Sequence, residues 1–266
     1  MPVNKGLEWT FDTVASKYEK LRPGYVDDLY KEIFDYINLT ENSEVVEFGI
    51  GGGQATLPIL KTGCNLTAAE YGANFCEICR EKFKEYPNFS AINGKFEDIE
   101  FESNKFDFIY SASAFHWIPE QIGYEKVYSM LKNGGAFARF ANHPFRDKFN
   151  PDLSEEIDRI YAKHYYTYYK TEPRKIVEYT EKEAFDRAML AKKYGFEDIK
   201  YKLFFRTRTY SAKEYSMLLG TYSDHIAIEE SVRNEFFSEI EKAIDKNGGK
   251  LCLYDTIELQ LARKII

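Results

Sequence analysis

The sequence predicts an α/β protein with a doubly wound, mostly parallel, seven-stranded Rossmann-like sheet, a reversed final strand and a helical lid inserted in the C-terminal half. Strand-like and helix-like segments alternate between residues 25 and 141, which is typical of right-handed βαβ units. The stretch VVEFGIGGGQATLPIL, residues 45–60, places a glycine-rich loop between a strand and a helix. The turn residues NGGK before KLCLYDTIELQLARK allow the last strand to run antiparallel to its neighbours.

The elements of the first half follow one another in a regular order. YVDDLYKEIFDYI has apolar residues at helical spacing, SEVVEFG is a short buried strand, and QATLPILKTG is a helix with Pro58 near its first turn. NLTAAEY is a strand and ANFCEICREKFKEYP a helix. FSAINGKFEDI and KFDFIYSASAFHWI are the next two strands. The helix QIGYEKVYSML ends at KNGG, before the strand AFARFAN.

Helical patterns dominate beyond Asn142. PDLSEEIDRIYAKHYYTYYK and TEKEAFDRAMLAKKYG are predicted helices, followed by the strand FEDIKYKLFFRTRTY, two further helices and the final strand. We therefore expect one elaborated domain. Residues 1–142 would form a cofactor-binding core with an N-terminal cover helix, and residues 143–266 a helical substrate lid, within 143–195 and 210–247, plus the last two strands.

Composition limits the classes of partner. The formal charge of −7 and the pI of about 5.4 argue against nucleic acids and anionic membranes, which such a field would repel. No apolar run approaches the about 18 residues that span a bilayer, and the first residues do not resemble a secretory signal. We therefore expect a cytoplasmic protein that binds a small molecule.

The four cysteines do not form a recognisable framework. They are few and scattered for 266 residues, unlike the cysteines of a secreted disulfide-bonded domain. The pair in CEIC falls inside a predicted helix, and no second pair accompanies it. We expect structural thiols and no metal site.

The glycine-rich loop is the main candidate for ligand binding. Gly49, Gly51 and Gly53 lie at the carboxyl edge of the predicted sheet, where open α/β folds bind ligands. A P-loop would end in Gly-Lys-Ser/Thr, and a dinucleotide fingerprint would need a small residue in place of Gln54. The carboxylate of Glu47 is unfavourable beside a pyrophosphate but suits a ligand that carries an amino group.

EFGIGGG resembles the Glu/Asp-x-Gly-x-Gly-x-Gly motif of the class I S-adenosylmethionine-dependent methyltransferases, at Glu47, Gly49, Gly51 and Gly53. The resemblance continues through AAEY, GKFEDI, FDFIYSASAFHWI and LKNGGAFARF, and so covers residues 11–141. It implies S-adenosylmethionine as the cofactor. The acidic residue that ends the second strand of this family holds the ribose hydroxyls; here it would be Glu70, whose carboxylate can accept from both hydroxyls.

The same resemblance implies further cofactor contacts. The loop after the third strand normally encloses the adenine, so Phe96 could pack on the purine while Glu97 or a backbone amide reads its edge; a solvated acidic loop is the alternative. FDTVASKYEKLRPGY resembles the N-terminal cover of small-molecule methyltransferases. Tyr18 would then close over the methionine moiety, and Arg22 would pair with its carboxylate or with an acidic substrate. An amphipathic surface helix is the alternative for this segment.

SASAFHWI resembles the subfamily that includes the trans-aconitate methyltransferases. This resemblance places His116 beside the transferable methyl group, as a general base or a substrate-orienting group; a structural histidine capped by a backbone carbonyl is the alternative. Trp117 is a candidate substrate residue, with packing at the strand end as the favoured interpretation. Ser111 would face the cofactor from the same strand end. Ser111 and Ser113 stand where catechol-type methyltransferases carry carboxylates for a divalent ion, so we expect metal-independent transfer.

The candidate substrate residues of the second half are His143, Tyr222 and His225. Their aromatic surroundings could line an acceptor pocket or form the core of the lid. The expected function is methyl transfer from S-adenosylmethionine to a small-molecule acceptor, with O-methylation favoured and a carboxylate among the candidate acceptors. The alternatives are a non-catalytic S-adenosylmethionine-binding or regulatory protein and, disfavoured by Gln54, a nicotinamide oxidoreductase.

Overall fold

The computed structural model describes residues 7–146 and 148–265, apart from the side chains of Glu8 and Trp9. The chain divides into two compact units. The first comprises Met1–Asn142, Thr180–Phe204 and Ile257–Ile266, and the second comprises His143–Tyr179 and Phe205–Thr256. The assignment of a substrate-binding role to the C-terminal half stays a prediction.

One seven-stranded sheet has the order β3-β2-β1-β4-β5-β7-β6. The strands are β1 (Glu44–Phe48), β2 (Asn65–Glu70), β3 (Phe89–Asn93), β4 (Phe106–Ala112), β5 (Leu131–Arg146), β6 (Phe196–Ser211) and β7 (Lys250–Lys264). The pairs β1–β2, β2–β3, β1–β4 and β4–β5 are parallel. With β7 reversed, the sheet is mixed, and β3 and β6 lie at its edges. The predicted fold class is confirmed.

Twelve α-helices lie in the described part of the chain. They are α1 (Glu8–Asp12), α2 (Ala15–Leu21), α3 (Asp27–Tyr36), α4 (Thr56–Leu60), α5 (Ala73–Lys82), α6 (Glu120–Met130), α7 (Pro151–Tyr161), α8 (Thr167–Tyr169), α9 (Glu181–Met189), α10 (Ala212–Leu219), α11 (Ser223–Ile226) and α12 (Glu230–Lys246). Short 3₁₀ turns occupy Phe115–Trp117 and Leu190–Tyr194, and a π-helical turn occupies Ala162–Tyr166.

Two segments differ from the sequence expectation. β5 begins at Leu131, directly after α6, so KNGG lies inside the strand rather than before it. The register of β4 and β5 shifts between Phe106 and Phe108, which accommodates this irregular stretch. The single helix expected over residues 151–170 is divided into α7, the π-helical turn and α8.

The first unit buries both faces of its central strands. Val45 contributes to the cluster on one face, while Val46 and Phe48 contribute to the cluster on the other. This alternation follows from the period of two along a strand, and burial of both faces is what a parallel central strand requires. Because the core covers both faces, the ligand-binding positions are left at the carboxyl ends of the strands.

The second unit has its own hydrophobic core. Leu153 and Ile157 of α7, Leu218 of α10, and Phe236 and Ile240 of α12 are buried together. Asn150 caps α7, and Ser211 forms a capping box at the beginning of α10, so these helices begin where their caps satisfy free amides. Within residues 7–146 and 148–265, no helix combines the length and the apolar character needed to cross a membrane.

Candidate functional site

The loop between β1 and α4 is built on glycines with left-handed backbone conformation. Gly49, Gly51 and Gly53 have φ values of 71°, 53° and 71°. A β carbon on Gly49 would lie 2.2 Å from that of Ala114, and one on Gly53 would lie 2.7 Å from the ring of Phe83. A β carbon on Gly51 would meet only side-chain atoms, the nearest 3.4 Å away. Gly49 and Gly53 are therefore required by packing, whereas at Gly51 the left-handed backbone, rather than a clash, favours glycine.

Glu70, at the end of β2, connects the glycine-rich loop to the next turn. Its Oε2 accepts from the amide of Gly51 at 2.9 Å and its Oε1 from the amide of Gly72 at 2.8 Å. Burial raises the pKa of this carboxyl group, and the two amide hydrogen bonds oppose that effect. Each oxygen retains a second lone pair, so the carboxylate can still accept from ligand hydroxyls.

Glu47 is fully buried in β1, where it lies opposite Tyr110 of β4. Its Oε2 accepts from Thr56 Oγ1 and from Tyr110 Oη, each at 2.7 Å. Its Oε1 has no hydrogen-bond partner among the described residues. Burial raises the pKa of Glu47 to about 7, although both hydroxyl hydrogen bonds lower it. The group is therefore a buried acceptor, poised between its charged and neutral forms, next to the glycine-rich loop.

The segment formed by α1 and α2 lies against the glycine-rich loop. The rings of Phe11 and Tyr18 are 5.7 Å apart, and Phe11 also contacts Trp117 at 5.8 Å. The side-chain amide of Gln54 lies within hydrogen-bonding distance of the carbonyl oxygens of Tyr18 (3.5 Å) and Glu19 (3.4 Å). Tyr18 is also the nearest neighbour of a β carbon built on Gly51. The segment α1–α2, named the cover segment below, thus lies against the loop, and its closure over the cofactor stays a prediction.

Helix α5 supports the loop from another direction. The Cys79 thiol donates to the Gly51 carbonyl oxygen at 3.1 Å, and the Lys82 ammonium donates to the Gly52 carbonyl oxygen at 2.8 Å. Asp12, which ends α1, accepts from the amide of Asn74 at 2.9 Å near the beginning of α5. Burial raises the pKa of the Cys79 thiol, so this group stays protonated and structural.

The end of β4 carries the residues expected near the acceptor. Ser111 is buried and donates to the Phe48 carbonyl oxygen at 3.2 Å. Ser113 has a φ of 56°, and its hydroxyl is 2.8 Å from that of Tyr25. His116 is exposed in the following 3₁₀ turn, with its ring centre 5.1 Å from that of Trp117. The structure therefore brings His116 and Trp117 together beside the cover segment.

Comparison with known proteins identifies the family. The model described as "Methyltransferase domain" matches residues 45–135. An uncharacterized methyltransferase of Schizosaccharomyces pombe is 24% identical over 236 residues, covering 88% of this chain and 87% of the relative. An uncharacterized methyltransferase of Geobacillus thermodenitrificans is 31% identical over 147 residues, covering 52% of this chain and 67% of the relative. The chain belongs to the class I S-adenosylmethionine-dependent methyltransferases.

Solved structures have the same fold as this methyltransferase. Phosphoethanolamine N-methyltransferase 2 of Haemonchus contortus, in complex with phosphomonomethylethanolamine and S-adenosylhomocysteine, has a TM-score of 0.56 and 14% identity, covering 96% of this chain and 58% of that chain. The same protein solved with S-adenosylmethionine has a TM-score of 0.55 and 14% identity, covering 96% of this chain and 57% of that chain. S-adenosylmethionine is the cofactor of the family and of this methyltransferase.

The residues of the methyltransferase fit this cofactor. Gly51 adds no side chain beside Tyr18 and Gln54 at the loop, and Glu70, which accepts from the Gly51 amide, can also accept from ligand hydroxyls. Glu47 offers a buried oxygen that finds no hydrogen-bond partner in the described part of the chain, and an amino group can satisfy it. Arg22 lies at the end of α2, with its guanidinium carbon 4.9 Å from the ring centre of Tyr18, and its pairing with a carboxylate stays a prediction.

Phe96 and Glu97 follow β3 in the methyltransferase. Phe96 is buried in the core of the first unit, stacked on Phe48 with ring centres 4.3 Å apart. Glu97 is half-buried, and its carbonyl oxygen accepts from the Lys126 ammonium at 2.9 Å. One face of the Phe96 ring is therefore covered by protein, and its contact with the purine stays a prediction.

The candidate substrate residues Tyr222 and His225 lie in the core of the second unit. His225 is fully buried, with Nδ1 2.8 Å from Asp224 Oδ1 and Nε2 2.9 Å from Tyr161 Oη. Burial alone would raise the pKa of Asp224, but His225 and the Tyr165 hydroxyl bring it down to about 2. Tyr222 is half-buried, with its ring centre 5.6 Å from that of His225. These hydrogen bonds and ring contacts stabilise the second unit, whether or not they also contribute to substrate binding.

His143 lies apart from that network, within β5. Its ring stacks on Tyr179, with centres 3.8 Å apart and planes at 4°.

Sequence reasoning missed the residues that position the loop, namely Asp12, Gln54, Thr56 and Tyr110. Their contacts depend on strand register and helix placement, so no local motif identified them. Only the alternation of buried residues in FDFIYSA could have placed Tyr110 on the same face of the sheet as Glu47.

Proposed function

We propose that this methyltransferase acts in the cytoplasm and transfers the methyl group of S-adenosylmethionine to an oxygen of a small molecule that carries a carboxylate. The observation that carries the proposal is Arg139 of β5. Its side chain is buried, with 9% of the residue exposed, and it lies opposite Ser111 in the strand register. Its Nε has no hydrogen-bond partner among the described residues.

The surroundings of Arg139 compensate its charge only in part, through Tyr124 and Glu258. The guanidinium carbon lies 4.0 Å from the centre of the Phe115 ring, and one amino group donates to Tyr124 Oη. The nearby Glu258 also forms an ion pair with Arg187, with its Oε1 3.3 Å from Arg187 Nη1. Burial lowers the pKa of Arg139, because desolvation disfavours the charged form. A buried cation is costly unless an anion pairs with it, so this position favours an anionic ligand.

A carboxylate acceptor also suits the residues around His116. Bound S-adenosylmethionine supplies a methyl group that is displaced in line from its sulfonium centre, and correct alignment contributes much of the rate. Arg139 would orient the carboxylate by charge-assisted hydrogen bonds. A carboxylate is already ionised at neutral pH, so His116 would orient the substrate rather than remove a proton. With a hydroxyl acceptor, the same imidazole would act as general base.

The cover segment would complete the site. The aromatic contacts among Phe11, Tyr18 and Trp117 can exclude water from the reacting atoms. The resemblance of SASAFHWI to the trans-aconitate methyltransferases supports the same acceptor class, a small carboxylic acid.

A panel of acceptors with labelled S-adenosylmethionine tests the proposal. Small carboxylic acids should be methylated, and neutral analogues with the carboxylate replaced by an amide should not. Phosphorylated amines belong in the panel because Arg139 could also bind a phosphoryl group, and their methylation in place of the acids would reject the O-methylation proposal.

Variants then test the role of Arg139. Arg139→Met should lower kcat/KM for the acceptor at least about tenfold, while the affinity for S-adenosylhomocysteine changes less than about threefold. Lys132→Met, on the same strand, is the matched control and should keep full activity. Circular dichroism must show that both variants are folded. Full activity in Arg139→Met, or equal rates with acids and amides, would contradict the proposal.

A further inference from the structure

The second unit brings together three metal-ligating side chains that are not among the residues assigned to the methyl-transfer site. A ring nitrogen of His164 and one carboxylate oxygen from each of Glu235 and Glu239 lie within 4.8 Å of one another. Glu235 and Glu239 are one turn apart on α12 and so share a face of that helix. His164 comes from the π-helical turn Ala162–Tyr166, a distortion that often marks functional positions in helices.

The histidine gives an independent indication of a ligand. His164 is buried, with 6% of the residue exposed, and its Nε2 has no hydrogen-bond partner among the described residues. Glu239 Oε2 lies only 3.1 Å from that nitrogen. The oxygen is therefore beside the ring nitrogen without being aligned for a hydrogen bond. A buried polar atom in this condition is destabilising unless something else satisfies it.

The spacing of the two atoms matches that of two ligands on one ion. Zinc binds imidazole nitrogen and carboxylate oxygen at about 2.0–2.2 Å, so adjacent ligand atoms in a tetrahedral site are about 3.3 Å apart. The distance of 3.1 Å between His164 Nε2 and Glu239 Oε2 is close to that value. Both atoms could then point at a shared ion rather than at each other, which accounts for the missing hydrogen bond.

We propose that His164, Glu235 and Glu239 bind a divalent zinc ion, with water in the remaining position. The imidazole favours zinc over magnesium and calcium, which prefer sites made only of oxygen. Three protein ligands are sufficient for a zinc site with an open position. Such an ion would tie the π-helical turn to α12.

Lys163 is the competing cation at this site. Its ammonium donates to Glu239 Oε1 and lies 3.9 Å from a carboxylate oxygen of Glu235. Its side chain is 56% exposed, so it can turn into solvent when an ion binds. Removing the ammonium should therefore strengthen zinc binding, whereas a purely structural ion-pair cluster predicts no such gain.

Isothermal titration of the metal-free full chain with zinc chloride tests the proposal without cofactor or acceptor. The wild type should bind one equivalent, and magnesium chloride should give no comparable heat. His164→Gln and Glu235→Gln should each weaken zinc binding at least about tenfold, since even the loss of an outer-shell partner typically costs 10–100-fold. Lys163→Met should bind more tightly than the wild type.

Glu230→Gln, an exposed acid on the same helix outside the cluster, is the matched control and should bind as the wild type does. Zinc should also raise the Tm of the wild type and of the control but not of the two ligand variants. Glu235 is exposed, so its variant should fold even if His164→Gln does not. No saturable zinc binding, or unchanged affinity in Glu235→Gln, would overturn the proposal.

Discussion

Glu47 makes the stability of this methyltransferase depend on pH in a direction opposite to that of most carboxylates. Burial raises its pKa in the folded protein to about 7, against 4.5 for the ordinary group. Between these two values the folded protein keeps a proton that the unfolded chain releases, so the free energy of unfolding falls as the pH rises. The difference of about 2.5 pKa units corresponds to a loss of roughly 3 kcal/mol in the free energy of unfolding. This loss is absent below pH 4.5 and complete above pH 7.

Glu47→Gln removes the titrating group while keeping a side-chain oxygen that Thr56 and Tyr110 can use. Urea unfolding of the cofactor-free protein, followed by circular dichroism between pH 4.5 and 8, measures the difference between wild type and variant at each pH. The free energy of unfolding of the variant, minus that of the wild type, should increase by about 3 kcal/mol between pH 4.5 and 8. Glu44→Gln, a half-buried position at the beginning of the same strand, is the control and should follow the wild type. A constant difference between wild type and Glu47→Gln would refute the reasoning.

Three further predictions concern the cofactor and acceptor sites. Glu70→Ala should weaken S-adenosylhomocysteine binding by about 1–3 kcal/mol in calorimetry, and unchanged affinity would remove Glu70 from the ribose site. Gly51→Val should lose binding and lower Tm through its positive φ, and Gly49→Val should lower Tm further, because its side chain also overlaps Ala114; normal binding by folded Gly51→Val would exclude the loop. His116→Ala should keep S-adenosylhomocysteine affinity within about threefold and lose at least about tenfold in turnover on the acceptor, a barrier increase of about 1.4 kcal/mol. Full turnover in this variant would assign His116 to packing.

The fold could be predicted because its signals are local and repeated. Alternating strand and helix patterns predicted the parallel sheet, and NGGK before the last segment predicted the reversed strand, and both are present. The beginning of β5 could not be predicted, because KNGG normally ends a helix and separates it from a strand. Its inclusion in β5 depends on pairing with β4, across a register shift that tertiary contacts set.

The site was predictable to the extent that single residues carry its chemistry. EFGIGGG identified the loop, and the acidic end of β2 identified Glu70, which the structure brings to the Gly51 amide. The partners of Glu47 were not predictable, because the contact with Tyr110 depends on which strand lies beside β1. The orientation of Phe96 was not predictable either, because an aromatic residue in a loop can pack into the core as readily as against a ligand, and Phe96 is buried in the core.

The position of β6 has a consequence for how copies of this chain behave when concentrated. An edge strand of 16 residues exposes backbone groups to which a strand of another molecule could add. Lys200 and Lys202 lie on this strand, whereas Arg206 and Arg208 pair with Asp255. Charged side chains, and lysines above all, disfavour the addition of another strand at an exposed edge. We therefore expect the two lysines to oppose edge-to-edge aggregation.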